Sequence, residues 1–412
     1  MGKNQVSYYT LDFLFEGGRM FVASLSVMIV LSKVNDPGLI AALKMLQSVV
    51  FILFEVPSGI LGDYWGNRKN LTISLCFGVC GLIIYSFASG LTGFVVGEIM
   101  LTLSLTFWSG SYEAVVINGL NIGASSSSIQ SFFSKSTAIN QVAILAAGIL
   151  GGLVATSSYQ YAYWIGSAIL LIDLYVVQTI SDSQEIPSFN IAINTLLVDV
   201  IRIMKRSCQY IALRSLGIFF VSYFFLQLTR QPLYHFWQPY FVKNYGNSQV
   251  LLTFVFASYS LTTTGILFLR TKVLRALQHS VVMVIYGTLF LVGYFCLSIP
   301  ELERWVKIFA YSISFACMVG FEIELMAILH VKIADKQRAS IGSAVSLVSR
   351  FGTFASMALA LELINSRVLL SSYEFLFKLF AGIGLLSFIG VGSLSFLLNR
   401  NNALSNTAKE TL

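Results

Sequence analysis

The sequence predicts an all-α integral membrane protein with twelve transmembrane helices in two six-helix, pseudo-symmetric bundles. Three observations lead there. Hydrophobic residues make up 56% of the 412 and charged residues only 11%, where soluble chains carry about 25% charged; mean hydropathy is +0.77. The apolar residues fall in continuous runs of roughly 20, the helical length that crosses a hydrocarbon core of about 30 Å. A transmembrane barrel would show about ten-residue alternating strands instead. Finally, Lys and Arg gather in alternate loops, as they do in multi-span proteins.

Taken in order, the runs lie near 10–32, 38–61, 71–90, 93–115, 134–157, 160–180, 211–241, 249–269, 280–299, 305–330, 340–365 and 375–398. Polar punctuation separates them: Asn35-Asp36-Pro37-Gly38 after the first, Gly62-Asp63 to Arg68-Lys69 after the second, Ile299-Pro300-Glu301 after the ninth, and Ala334-Asp335 to Arg338 after the tenth. The N-terminus has no short apolar region followed by a cleavage site, so its first run reads as the first span. One set of alternate loops, with both termini, holds fifteen of the 26 basic residues; the other holds six. The richer set is expected to face the cytoplasm, with both termini inside. The net charge of +7 is then topology rather than a signal for nucleic acid.

The one long polar stretch, 181–210, alternates Ile191, Ile193, Leu196, Leu197, Val200 and Ile201 with Asn194, Asp199, Arg202, Lys205 and Arg206. This is the pattern of an amphipathic helix lying on a membrane surface, and also of a charged linker. The expected organisation is a first bundle at 1–180, a cytoplasmic linker at 181–210, a second bundle at 211–400 and a tail at 401–412. Two six-span halves suit alternating access. No phosphate-cradling glycine loop is present, so ATP hydrolysis, and enzymatic activity generally, is not expected. The five cysteines, Cys76, Cys80, Cys208, Cys296 and Cys317, read as packing residues: Cys76 and Cys80 are four apart in one apolar run, which is neither a redox nor a zinc spacing. No metal or cofactor is expected. Asn70-Leu71-Thr72 fits a glycosylation sequon but falls beside Arg68 and Lys69, on the side read as cytoplasmic.

The loop after the second run reads Gly59-Ile60-Leu61-Gly62-Asp63-Tyr64-Trp65-Gly66-Asn67-Arg68-Lys69. It resembles motif A of the major facilitator superfamily, G-x-L-[AG]-D-x-x-G-x-[RK]-[RK], with its full spacing. Phe54-Glu55-Val56-Pro57-Ser58-Gly59 is similar to the E-[IV]-P-[ST]-G run before motif A in a branch of bacterial facilitators. Trp108-Ser109-Gly110-Ser111-Tyr112-Glu113-Ala114, Trp237-Gln238-Pro239-Tyr240 and Arg338-Ala339-Ser340 through Ser346 resemble further stretches of that branch. The resemblance implies the facilitator fold and a gating role for Gly59, Gly62, Asp63, Gly66, Arg68, Lys69 and Glu55. In the family the motif A Asp meets the start of the eleventh span, here near Ser340, and latches the outward-open state. Two features depart from exporters of the family. The fourth span lacks the basic residue of motif B. The antiporter signature of the fifth span keeps small residues at Ala143, Ala147, Gly148, Gly151 and Gly152, but Gly148 stands where Pro is expected.

Charges inside a bilayer cost at least about 2.5–3.5 kcal/mol each, so those present are paired or functional. The resemblance places spans one, four, seven and ten around a central cavity. Glu16 and Arg19, three apart on one helix face, and Glu113 in span four are the candidates for proton coupling; Arg19 can pair with Glu16 or with Glu113. Gln227, Arg230, Gln231, Tyr234 and Gln238 form a polar and aromatic stripe at helical spacing in span seven, and Glu322 lies in span ten. These six are the candidates for a substrate cavity. Glu322 and Glu324 are two apart and so point to different sides. Lys44 and Glu55, about three turns apart, share a face. The function expected is proton-coupled export of amphipathic small molecules (drug, siderophore or peptide-like metabolite) by a monomer in a bacterial inner membrane. A proton-coupled importer and a transport-inactive sensor acting through 181–210 are the alternatives.

Overall fold

The computed structural model describes residues 3–119, 126–180, 214–246, 248–274, 277–332, 338–366 and 373–385. All regular structure among them is helical. The helices are α1 (Lys3–Met20), α2 (Ser26–Val34), α3 (Pro37–Trp65), α4 (Asn67–Phe87), α5 (Leu91–Gly119), α6 (Ser126–Ala155), α7 (Tyr159–Thr179), α8 (Arg214–His235), α9 (Trp237–Tyr245), α10 (Gln249–Lys272), α11 (His279–Leu297), α12 (Arg304–Lys332) and α13 (Arg338–Asn365). A last helix, α14, covers 373–385. The expected linker and tail, 181–210 and 401–412, lie outside the described residues.

Nine of the described helices are long and apolar enough to cross a membrane: α3 to α7 and α10 to α13. They coincide with nine of the twelve expected spans. The expected twelfth is described only through α14. The expected first and seventh spans are each divided in two. Residues 21–25 form turns between α1 and α2, and Phe236 interrupts α8 and α9. Large apolar side chains such as Phe87, Tyr175, Phe268 and Phe309 point outward and are well exposed, as lipid-facing residues are and water-facing ones rarely are.

Local sequence explains the helix ends. Pro37 starts α3, and the Asp36 carboxylate accepts from the Gly38 amide at 2.8 Å, a cap that satisfies a free donor. Asn35 ends α2 at φ 53°, a conformation Asn tolerates. Ser158 caps α7 by accepting from the Gln160 amide.

The chain packs as two compact units, Met1–Arg202 with Gln238–Leu261, and Ile203–Trp237 with Thr262–Leu412. The segment 238–261, expected in the second bundle, thus groups with the first unit. In the first unit α4 packs on α5 and α7, α1 on α6 and α7, and α3 on α5. In the second, α11 packs on α12 and α8 on α13.

Each divided span is stitched by a side chain, because a helix break in a bilayer leaves backbone groups that must find partners. In the first unit the Gln238 amide donates to the Ala23 carbonyl at 2.9 Å and accepts from the Met28 amide at 3.2 Å, spanning the break between α1 and α2. In the second unit Tyr311 donates to the Leu233 carbonyl and Tyr294 to the Thr229 carbonyl, on either side of Pro232.

Candidate functional site

The motif A turn is built by close packing. Gly66 ends α3 with φ 97°, a conformation that favours glycine, and α4 begins at once. A side chain at Gly62 would press on Asn67 and Asn70. Asn70, fully buried, donates to the Ser58 carbonyl at 2.7 Å and to the Ser111 hydroxyl at 2.9 Å, and accepts from Trp65. The sequon asparagine is therefore a structural knot joining the turn to α3 and α5. Arg68 donates to Gln178 on α7 at 3.0 Å, and Lys69 is exposed. Glu55 is half-buried, and nothing crowds Gly59. The Asp63 and Ser340 side chains lie outside the described residues.

On α1 the Glu16 and Arg19 pair closes on itself. Arg19 donates to both Glu16 oxygens, at 2.7 and 2.9 Å. Glu113 does not join them. Trp108 and Tyr112, one turn apart, face α1, where Phe15 stacks on Trp108 at 3.7 Å between centroids and Tyr112 donates to the Tyr8 carbonyl. Ser111 faces Asn70. At about 100° per residue, this turns Glu113 away from Arg19 and leaves it exposed. Lys44 likewise pairs with Glu98 at 2.7 Å rather than with Glu55, and Tyr85 donates to the other Glu98 oxygen.

The stripe on α8 comes together with α12 inside the second unit. Glu322 forms an ion pair with Arg230 and accepts from Gln227 at 2.9 Å and from Tyr223 at 3.0 Å. The Arg230 guanidinium lies over the Tyr234 ring, 4.6 Å from its centroid, a cation–π geometry, and Phe315 packs against the same ring. Both charged side chains keep about a fifth of their surface open, 23% for Arg230 and 21% for Glu322. Gln231, from the same stripe, turns to Thr353 on α13 instead. Gln238 belongs to the first unit, where it stitches the divided span.

Glu324 faces away from Glu322, as the spacing requires. It pairs with Arg270 of α10 and accepts from His279 at the start of α11. Asp12 and Tyr223 were not singled out from the sequence. Asp12 is buried and accepts from Ser136 and from Asn140, the latter at 2.7 Å. Its signal was the four-residue spacing to Glu16. The signal for Tyr223 was its place one turn before Gln227. Cys76, Cys80, Cys296 and Cys317 are free thiols, and Cys208 lies outside the described residues. Among the described residues no group of three or more His, Cys, Asp and Glu side chains is placed to hold a metal ion.

No family model matches the chain. A curated relative, an uncharacterized MFS-type transporter of Bacillus subtilis named YxaM, is 22% identical over 260 residues, which span 62% of this chain and 62% of that relative. Among solved structures, the nucleoside transporter NupG superposes with a TM-score of 0.70 at 15% identity, covering 95% of this chain and 99% of that one. A point mutant of NupG superposes with a TM-score of 0.73 at 14% identity and the same coverage. The human organic anion transporter MFSD10 superposes with a TM-score of 0.64 at 14% identity, covering 94% and 98%. These relatives are transporters rather than enzymes. The architecture is the major facilitator fold.

Proposed function

We propose that this chain, with its facilitator fold, is a secondary active transporter that works by alternating access and exports amphipathic small molecules in exchange for protons. Drug, siderophore or peptide-like compounds are the substrate class, the site of action is a bacterial inner membrane with both termini inside, and the working form is a monomer. The observation that carries this reading is the partly open Arg230–Glu322 pair with Gln227, Tyr223 and Tyr234 around it. An ion pair that is neither sealed nor fully solvated can exchange partners with a ligand. A substrate anion competes with Glu322 for Arg230, a substrate donor competes with Arg230 for Glu322, and the tyrosine faces take the apolar part.

Coupling is assigned to Glu16, with Arg19 modulating it, or to Glu113. A proton moving inward across about 100 mV releases roughly 2.3 kcal/mol, enough for a substrate gradient of about 50-fold. The motif A residues, Glu55, Gly59, Gly62, Asp63, Gly66, Arg68 and Lys69, are assigned to gating.

The test is transport by the purified full chain in liposomes with an imposed pH gradient, screened over a compound panel. Arg230→Ala is expected to abolish it. Proton-driven transport that survives in the Glu16→Gln, Glu113→Gln double variant would end the coupling assignment. A second reading, proton-coupled uptake of a polar metabolite, draws on the likeness to a nucleoside transporter and on the Gln227 and Glu322 hydrogen-bonding groups. Uptake favoured by an inward proton gradient selects it over export. No movement of any compound favours a sensor.

A further inference from the structure

We propose that Asp12 and Asp173 form a site for one exchangeable cation inside the first unit, and that this cation is a proton. The inference goes beyond the coupling assignment above and concerns a separate proton, held where α1, α6 and α7 meet.

The starting point is Asp173. It is 0% exposed, and neither carboxyl oxygen has a hydrogen-bond partner. An ionised carboxylate so placed costs several kcal/mol unless a counter-charge or a proton accompanies it. No described cation does so. On α1, Arg19 is committed to Glu16. On α6, Lys135 is exposed. On α4, Arg68 donates to Gln178 of α7, and Tyr85 is bound to Glu98.

Helix geometry puts a second acid at the same level. Gly18 of α1 meets Gly166 of α7 so closely that a side chain on either would strike the facing backbone. Phe21 lies by Gly166 and Gly18 by both Gly166 and Leu170, so the helices run antiparallel. Asp12 precedes Gly18 by about 9 Å of helix, and Asp173 follows Gly166 by about 10.5 Å. The two acids therefore lie at about the same depth on neighbouring helices. On α6, Asn140 stands about four turns before Ala155 and Asp173 about four turns after Tyr159, which levels those two as well.

The remaining polar atoms fit a cation. Asp12 accepts from Ser136 and from the Asn140 amide, so its charge is held by donors. The Asn140 carbonyl oxygen is buried and unpartnered. Asn140 and Asp173 thus each keep buried acceptors that no donor satisfies. A proton on Asp173 removes one of the two negative charges. When it leaves for water, the two carboxylates repel across α1 and α7, and the helix pair packed at Gly18 and Gly166 is biased towards separating at this level. Proton binding and helix packing in this unit are linked in that way.

The test uses the full chain in liposomes, with no substrate and no gradient, so it can fail while the transport reading stands, and the reverse. Infrared difference spectra on stepping the pH are expected to contain a carboxyl C=O band that titrates. That band should be lost in Asp173→Asn, shifted in Asp12→Asn and restored in Asp173→Glu. The two milder variants keep the test valid if Asp173→Asn folds poorly. Replacing choline chloride by sodium chloride at fixed pH is expected to leave the band unchanged. If sodium suppresses it, the cation held there is sodium and the proposal falls. A titrating spectrum that neither Asp173→Asn nor Asp12→Asn alters, or the absence of any titrating carboxyl band, overturns the proposal.

Discussion

Glu322 in the second unit and Asp173 in the first are both intramembrane acids, yet the fold treats them oppositely. Glu322 keeps about a fifth of its surface open and is held by an arginine, a glutamine and a tyrosine. Asp173 is sealed and has no hydrogen-bond partner. A charge with fixed partners is a structural element that a ligand can compete for. A buried acid without them is neutral, carrying its proton, or needs a counter-charge beside it. The difference teaches that the number of acids in the spans says little about mechanism until their partners are known.

The largest effect should come from breaking the partnered acid. Arg230→Ala leaves the half-buried Glu322 without its cation, a loss that costs up to about 3–5 kcal/mol where such a pair is fully buried. Thermal unfolding in detergent should show it, and adding Glu322→Gln should recover part of the loss. If Arg230→Ala is as stable as the parent, the pair is not the anchor described here.

Next comes overpacking between the divided first span and α6. A side chain at Gly151 would collide with the Phe21 carbonyl, so Gly151→Val should cost about 1–3 kcal/mol, read in the same melts. Replacement without loss would mean that α1 and α6 are loosely held in the unit that carries Asp173.

Asp173→Asn should behave unlike Arg230→Ala. With no hydrogen bond to lose, its stability should match or exceed that of the parent, within about 1 kcal/mol for a single buried polar group. A drop well beyond that would reveal a hidden partner and erase the contrast. Arg68→Ala, which removes an exposed hydrogen bond to Gln178, sets the lower end of the scale and should stay within roughly 0.5 kcal/mol.

Much of the molecule was legible beforehand. Continuous apolar runs placed the nine described membrane helices, because hydrocarbon thickness fixes their length. The i, i+3 spacing offered Glu16 as one of two partners for Arg19, beside Glu113, and the two-residue offset foretold that Glu322 and Glu324 would serve different neighbours. Partner choice across helices was not legible. Lys44 shares a face with Glu55 along α3, but α5 brings Glu98 to it. Gln238 continues the α8 stripe by spacing, yet the break at Phe236 sends it to the α1–α2 turn instead.

The sequence by itself therefore determined that this chain is an all-helical membrane protein, roughly where its spans run, and which charges lie within them. Those facts follow from local hydrophobicity and helical period, which need no knowledge of the neighbouring helix. Only the tertiary structure decided that Glu322 is partnered, that Glu113 stands apart, and that Asp12 and Asp173 share one level. Each depends on helix rotation and depth, set by close contacts such as Gly18 with Gly166 and Trp108 with Phe15.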